Sequence, residues 1–273
     1  MTDQYYVVGN PIAHSKSPDI HQRFADQTGQ SLVYDKALVP IDAFNQHIKD
    51  MVAAGAKGFN VTVPFKEEAF KLADELSRRA QTAGAANTLI VQNQQLIADN
   101  TDGIGLVNDL TKNHGVPLAD KKVLVLGAGG AVRGVLEPLL ACGPKELVVA
   151  NRTKQRAERL GEIFPSLLAK GFDELDTHDR FDVIINGTSA SLAGDLPAIP
   201  TELFKAGPVI YDMMYGAEET VFNQWALVHG AKLTIDGLGM LVEQAAESFR
   251  LWRGVQPETQ EVIGWLRGQL KTS

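Results

Sequence analysis

A lysine and an aspartate stand where an acid–base pair would be useful. Lys66 follows the strand-like segment NVTVP at the start of a predicted helix, and Asp102 lies in the segment NTDGIG. Each has an ordinary explanation by itself, since most lysines are solvated and Asp102 could simply cap a helix. If both project into one site, the carboxylate orients the amine and offsets its desolvation while the amine exchanges a proton.

Two hydroxyl groups in the segment HSKSPDI are placed to hold an anion. Ser17 is a good helix N-cap, and Pro18 suits the first helical position because its missing amide proton costs nothing there. The helix that begins here would direct its first amides, and the positive end of its dipole, toward Ser15 and Ser17. This segment alone favours a plain capped surface helix, since most Ser-Pro helix starts are only caps, with an anion site as the alternative.

A glycine-rich loop follows a predicted strand in the segment VLVLGAGGAVRG. Gly127 permits a tight turn, Gly129 lets a pyrophosphate approach the backbone, and the helix that starts there supplies amides to it, with close helix packing left to Gly130 and Ala131. A strict G-x-G-x-x-G pattern would place its third glycine where Val132 stands. The loop therefore predicts a dinucleotide site, with a purely structural glycine turn as the alternative.

The end of the next predicted strand, VVANRTKQR, indicates which dinucleotide would bind. Recognition of the NAD ribose calls for a carboxylate at this point, and the sequence has none there. Instead Arg152, Lys154 and Arg156 surround Thr153, a predicted N-cap. Cations at a helix N-terminus oppose the helix dipole, and a 2′-phosphate would compensate them. This pattern favours NADP over NAD; the alternative is a solvated basic turn.

Short β-branched segments alternate with helical patterns twice along the chain, which is typical of βαβ units and mainly parallel sheets. We therefore predict an α/β protein with two α/β lobes and a cleft between them. The first lobe covers residues 1–103 and is completed by C-terminal helices in 236–273. The second, residues 104–235, is a Rossmann-type NADP-binding domain.

Composition and charge argue against several classes of protein. The 273 residues carry a net charge of −7, so no broad basic surface for nucleic acid is expected. No apolar run approaches the ~18 residues of a membrane span, and the N-terminal segment does not resemble a signal peptide. Cys142 is the only cysteine, and metal-ligand spacing is absent. We expect a cytoplasmic protein without metal or membrane partner, as a monomer or homodimer.

The order of these motifs resembles that of the shikimate dehydrogenase family. The resemblance spans nearly the whole chain through HSKSP, NVTVPFK, AGAANT, NTDGIG, GAGGA, NRT, NGTS, YDMMYG and DGLGMLVEQA. It implies NADPH-dependent, reversible reduction of 3-dehydroshikimate to shikimate in the shikimate pathway of aromatic amino-acid biosynthesis. It also implies that the first lobe binds the substrate.

The resemblance further implies a role for each matching position. The catalytic pair would be Lys66 and Asp102, and the substrate would contact Ser15, Ser17, Thr62, Asn87, Tyr215 and Gln244, with the two serines and Tyr215 at its carboxylate. The cofactor would contact Gly127, Ala128, Gly129, Gly130 and Ala131 through its pyrophosphate, Asn151, Arg152, Thr153 and Arg156 through its 2′-phosphate, and Thr188, Met213 and Gly237 through its nicotinamide half. Two positions depart from the commonest family pattern: Gly187 stands where alanine is frequent, and Val132 replaces a smaller residue.

Two alternative functions stay open at this point. One is a quinate/shikimate dehydrogenase of relaxed specificity that uses NAD(P), and the other is a non-catalytic NADP-binding sensor on the same fold. The missing acidic residue at Asn151 argues against NAD, and the presence of Lys66 with Asp102 argues against a sensor, because binding alone needs neither. We expect the Lys66 amine to transfer the proton and Asp102 to orient that amine. The two groups are coupled, so they share their titration.

Overall fold

The computed structural model describes residues 2–188 and 194–272. Its contacts divide the chain into unit 1, Met1–Gly105 with Val242–Val262, and unit 2, Leu106–Leu241 with Ile263–Ser273. Each unit carries one six-stranded sheet with helices, so the predicted α/β class with two lobes is confirmed. Within the described residues, no helix is long and apolar enough to cross a membrane.

The units differ from the predicted domain boundaries at the C-terminal end. The sequence placed all of 236–273 with the first lobe, whereas residues up to Leu241, and those from Ile263 onward, group with unit 2. Within unit 2, Arg267 in the last helix forms a long-range ion pair with Asp236 at the end of a strand. Hydrophobic periodicity carries no information on such a contact.

Unit 1 contains a mixed sheet of order β2-β1-β3-β5-β6-β4. Its strands are β1 Asp3–Gly9, β2 Leu32–Leu38, β3 Ala56–Val61, β4 Glu75–Leu76, β5 Thr88–Gln92 and β6 Gln95–Asp99. The first three are mutually parallel, and β5 and β6 form an antiparallel hairpin. Its helices are α1 Ser17–Thr28, α2 Phe44–Ala53, α3 Lys66–Leu72 and α4 Arg78–Ala83.

Two helices continue from one unit into the other. They are α5 Asp102–Asn108, which ends in a π-turn over Asp109–Asn113, and α9 Leu238–Arg253. The apolar stripe of α9 is buried at Ala245 and Phe249. At its end, Trp252 Nε1 donates to the Leu89 carbonyl at 3.0 Å. Helix α9 is thereby fixed against the sheet of unit 1.

Unit 2 contains a wholly parallel sheet of order β12-β11-β10-β7-β8-β9. Its strands are β7 Lys122–Leu126, β8 Glu146–Asn151, β9 Leu168–Gly171, β10 Val183–Asn186, β11 Val209–Asp212 and β12 Leu233–Asp236, and its helices are α6 Gly130–Ala141, α7 Lys154–Ile163, α8 Val221–Val228 and most of α10 Gln260–Thr272. The chain leaves β7 toward β8 on one side and returns to β10 on the other. The carboxyl ends of β7 and β10 therefore form a topological switch point, where such sheets bind ligands.

Candidate active site

Lys66 and Asp102 meet in unit 1. Lys66 is the first residue of α3 and Asp102 the first of α5, and Lys66 Nζ donates to Asp102 Oδ2 at 2.6 Å. The Lys66 side chain is 32% exposed and that of Asp102 is 13% exposed, so the pair is shielded while the amine still reaches solvent. A partly buried ion pair is attracted more strongly than one in bulk water, which holds the ammonium in one place.

Asn87 connects this ion pair to a second predicted substrate residue. Its amide nitrogen lies 2.8 Å from Asp102 Oδ1 and 3.1 Å from Gln244 Oε1 on α9. Its side-chain oxygen accepts the backbone amide of Thr101 at 2.9 Å. Each oxygen of the Asp102 carboxylate therefore has a donor, and four predicted residues form one contiguous polar cluster: Lys66, Asp102, Asn87 and Gln244.

Sequence reasoning missed the residues that support this cluster. Asn100 Oδ1 accepts the Asp102 amide at 3.1 Å, and Asn100 Nδ2 donates to the Ala85 carbonyl at 3.1 Å. Ser248 lies 2.8 Å from the Thr88 hydroxyl, next to Asn87. One available signal was the polar run Asn100–Asp102 after β6, because three successive polar residues that follow a strand need partners if they are buried.

An ion-pair network anchors the chain just before Asp102. Arg79 donates to Asp99 at 3.0 and 2.7 Å and to Glu247 on α9 at 2.9 Å. Burial by itself would raise the pKa of Asp99, but hydrogen bonds from Arg79 and Ser77 outweigh it, and the net pKa is lowered. Through Arg79 on α4, the charged Asp99 connects the end of β6 to α4 and to Glu247 on α9.

The hydroxyl groups of Ser15 and Ser17 lie close together at the start of α1, but the prediction that Ser17 is the helix N-cap is wrong. Ser15 Oγ lies 3.2 Å from Ser17 Oγ, and the Ser17 amide donates to Ser15 Oγ at 3.3 Å. Helix α1 already begins at Ser17, with Lys16 as its N-cap and no side-chain cap. Because the Ser15 hydroxyl accepts the amide instead, Ser17 is the first helical residue and its hydroxyl is not needed as a cap.

The other two predicted substrate residues lie in different units. Thr62 follows β3, where its amide donates to the Val8 carbonyl at 3.0 Å, and it is partly exposed. Tyr215 follows β11 in unit 2 and is 37% exposed. Partial burial, followed by the charge of Asp236, raises the pKa of Tyr215, so its phenol is a neutral hydrogen-bond donor. Its role at the substrate carboxylate stays a prediction.

The glycine loop lies at the switch point of unit 2. Gly127 has φ +105°, and a Cβ there would stand 3.2 Å from the backbone of Gly187 after β10. Gly129 and Gly130 have open space where a Cβ would be, and Gly129 is the N-cap of α6 without any side-chain cap. The first amides of α6 are thus free of a side-chain cap, with room beside the glycines. A pyrophosphate fits this loop, which also contains Ala128 and Ala131.

The three cations in the turn after β8 differ in whether they form an ion pair. Lys154 is paired with Glu174 at 2.6 Å, and this contact raises the pKa of the lysine. Arg152 and Arg156 are exposed, and among the described residues neither forms an ion pair. Thr153 is the N-cap of α7 without a side-chain hydrogen bond, and Asn151 Nδ2 donates to its carbonyl at 2.8 Å. The hydrogen bond from Asn151 stabilises the turn. The guanidinium groups of Arg152 and Arg156 have no counter-charge among the described residues and could bind an anion.

The predicted nicotinamide residues come together at the ends of β10, β11 and β12. Thr188 donates to Asn186 Oδ1 at 2.7 Å, and the Met213 amide donates to the Asn186 carbonyl at 2.9 Å. The Gly237 amide donates to the Met214 carbonyl at 3.0 Å. A Cβ on Gly237 would overlap the backbone of Met213, so this close approach requires glycine. Ser189 of the NGTS motif lies outside the described residues.

A parallel sheet with a glycine loop at its switch point defines unit 2 as a Rossmann-type dinucleotide-binding domain, and unit 1 adds a lysine–aspartate pair. Family models described as "Shikimate dehydrogenase substrate binding domain", "Shikimate / quinate 5-dehydrogenase" and "Shikimate 5'-dehydrogenase C-terminal domain" match residues 7–89, 109–194 and 237–264. The chain belongs to the shikimate dehydrogenase family. The resemblance seen in the sequence motifs is confirmed.

Similar proteins match over almost their full lengths. "Shikimate dehydrogenase (NADP(+))" of Alkalilimnicola ehrlichii is 56% identical over 98% of this chain and 99% of its own. The crystal structure of an Ael1 enzyme from Pseudomonas putida has a TM-score of 0.94 at 45% identity, covering 97% of this chain and 98% of that chain. The Thermus thermophilus shikimate 5-dehydrogenase in complex with NADP(H) and shikimate has a TM-score of 0.87 at 34% identity, covering 98% and 100%.

Proposed function

We propose that this protein catalyses the reversible, NADPH-dependent reduction of 3-dehydroshikimate to shikimate. The observation that carries the proposal is the cluster of Lys66, Asp102, Asn87 and Gln244, in a chain of the shikimate dehydrogenase family. The cluster combines a proton donor with amides that recognise hydroxyl groups. Binding of a dinucleotide alone would require neither.

The substrate is proposed to bind unit 1 through its carboxylate and its ring hydroxyls. Ser15 and Ser17 present two neighbouring hydroxyls at the N-terminal end of α1, where the helix dipole favours an anion. Asn87 and Gln244 offer donor and acceptor groups 3.1 Å apart, which suits a hydroxyl that can both donate and accept. Thr62 and the phenol of Tyr215 are proposed as further ligands, Thr62 of a ring hydroxyl and Tyr215 of the carboxylate.

The proton step is assigned to Lys66. When bound, NADPH supplies the hydride that the C3 carbonyl carbon accepts. As negative charge develops on the carbonyl oxygen, the Lys66 ammonium donates a proton to it, and in the reverse direction the amine takes the hydroxyl proton. Asp102 Oδ2 holds Lys66 Nζ at 2.6 Å, while the Asn87 amide nitrogen donates to the other carboxylate oxygen. Such positioned acid catalysis contributes roughly 10²- to 10⁴-fold.

The cofactor is proposed to be NADP, held by unit 2. The amides that begin α6, with the loop from Gly127 to Ala131, would hold the pyrophosphate, because the glycines leave room for it. Arg152 and Arg156 would pair with the 2′-phosphate, beside Asn151 and Thr153. Thr188, Met213 and Gly237 would line the nicotinamide half.

The test is a steady-state comparison of shikimate and quinate with NADP⁺ and NAD⁺, followed by the absorbance of the reduced cofactor. We expect the highest kcat/KM for shikimate with NADP⁺. Equal values for quinate or for NAD⁺ would favour the dehydrogenase of relaxed specificity. Binding of NADP⁺ by calorimetry without turnover of either acid would instead indicate a sensor and contradict the proposal.

A further inference from the structure

One side chain of the C-terminal helix α10 reaches two separate loops of unit 2. Arg267 donates to Asp236 through both terminal nitrogens, Nη1 to Oδ2 at 2.7 Å and Nη2 to Oδ1 at 2.5 Å. Nη1 also donates to the Gly216 carbonyl at 3.1 Å. A single guanidinium therefore joins the end of β12 to the segment after β11.

The two joined segments carry three residues assigned to ligands. Met213 and Tyr215 lie on the segment after β11, and Gly237 directly follows β12. The segments are already in backbone contact, since the Gly237 amide donates to the Met214 carbonyl at 3.0 Å. Because this approach leaves no space for a side chain at position 237, a shift in one segment displaces the other.

The ion pair between Arg267 and Asp236 is shielded from solvent, so its loss should alter the local structure. The Asp236 side chain is 10% exposed and that of Arg267 is 34% exposed. Asp236 Oδ1 additionally accepts the Leu238 amide at 3.2 Å, at the start of α9. Removal of Arg267 would leave a nearly buried carboxylate without its counter-charge, and a carboxylate in that position moves toward water. The chain on both sides of Asp236 would follow it.

We propose that Arg267 is a positioning residue for the reaction, which acts by fixing Met213, Tyr215 and Gly237 in their relative places. The inference rests on the proposed function, because it assumes that these residues face the nicotinamide and the substrate carboxylate. Arg267 lies beyond residue 264, the last one that the family models match. Its side chain touches neither ligand in this assignment.

A positioning role predicts a specific kinetic signature. The adenosine and pyrophosphate are assigned to the ends of β7 and β8, which Arg267 does not contact. Affinity for the dinucleotide should therefore persist, while the alignment of its nicotinamide half suffers. Misalignment of reacting groups lowers kcat more than it lowers binding.

The experiment compares Arg267→Gln, Arg267→Lys and the control Lys271→Gln, an exposed cation on the same helix. For Arg267→Gln we expect kcat to fall about tenfold, while the Kd of NADP⁺ from calorimetry stays within about threefold of wild type. Arg267→Lys keeps the charge but loses the two-pronged contact, so it should recover part of the kcat. Lys271→Gln should match the wild type.

A merely structural role would lower the Tm of Arg267→Gln and leave kcat per folded molecule unchanged, which overturns the inference. If Arg267→Gln does not fold, Asp236→Asn serves instead, because it retains an oxygen for the Leu238 amide while weakening the ion pair. A wild-type kcat in folded Asp236→Asn also overturns the inference. Absence of turnover in the wild type would contradict the proposed function instead, so the two failures are distinguishable.

Discussion

A methyl group at position 187 would overlap Cγ2 of Val132. Val132 lies in the first turn of α6, fully buried, and Gly187 follows β10 at the switch point. These are the two positions at which the resemblance leads us to expect a departure from the commonest family pattern. The valine side chain occupies the space that an alanine side chain at 187 would take, so the two positions compete for the same volume.

This competition for volume predicts a strong coupling between the two positions. Gly187→Ala should destabilise the protein by about 1–3 kcal/mol, because added volume in a packed core forces neighbours to move. The same change in a Val132→Ala background should cost less, with an interaction free energy of about 1 kcal/mol or more. Urea unfolding of the two single variants and the double variant measures this coupling. Additive effects would mean that the side chains do not compete for the same space.

A buried histidine predicts that acid destabilises the protein. His21 is fully buried and stacked on Tyr34 with ring centroids 4.2 Å apart, and its Nε2 lies 3.0 Å from Asn60 Oδ1. Burial lowers the pKa of His21 to about 3, although the hydrogen bond to Asn60 opposes the shift. Between pH 6.5 and 3 the unfolded chain therefore binds the extra proton. Stability is full above pH 6.5 and falls by about 2 kcal/mol on going to pH 5.

His21→Phe tests this assignment because it removes the titrating ring and preserves the aromatic packing. Urea unfolding at pH 7 and pH 5 should show that the variant loses less free energy of unfolding than the wild type over this interval. The exposed His178 is the matched control, and His178→Gln should retain the wild-type dependence. A dependence that is unchanged in His21→Phe would assign the acid sensitivity to other groups.

The basic turn after β8 predicts which substitutions alter cofactor choice. Arg152→Gln and Arg156→Gln should each weaken NADP⁺ binding by about 10- to 100-fold, since a hydrogen bond to a charged group contributes about 1.5–3 kcal/mol. NAD⁺ lacks the 2′-phosphate, so its affinity should not change. Lys154→Gln is the control, because Glu174 already compensates that cation. Calorimetry with both dinucleotides separates these outcomes, and a parallel loss for NADP⁺ and NAD⁺ would refute 2′-phosphate recognition.

The fold was predictable because its signals are local. Alternating β-branched and helical segments predicted the α/β class with two lobes, and the two sheets confirm it. The last helix groups with unit 2 and carries Arg267, which binds Asp236, 31 residues earlier in the chain. Contacts of this kind leave no periodic trace in the sequence.

The reactive residues of the candidate site were predictable from the sequence, whereas the residues that hold them in place by hydrogen bonds were not. Lys66 and Asp102 were identified from their residue types and places at helix starts, and the structure brings them together. The role of Ser15 at the helix start was missed, because the choice between two nearby hydroxyls depends on backbone angles. The contact of Asn60 with Ser248 spans 188 residues, and such partners become visible only when the chain is folded.

The central claim is that the Lys66 amine, held by Asp102, transfers the proton, and the kcat of Lys66→Ala tests it most directly. We expect kcat for shikimate oxidation by NADP⁺ to fall by roughly 10²- to 10⁴-fold, with the KM for shikimate within about threefold of wild type. Lys71→Ala on the same helix should retain wild-type kinetics. A Lys66→Ala variant with near-normal kcat and only a raised KM would show that Lys66 binds the substrate and does not transfer the proton.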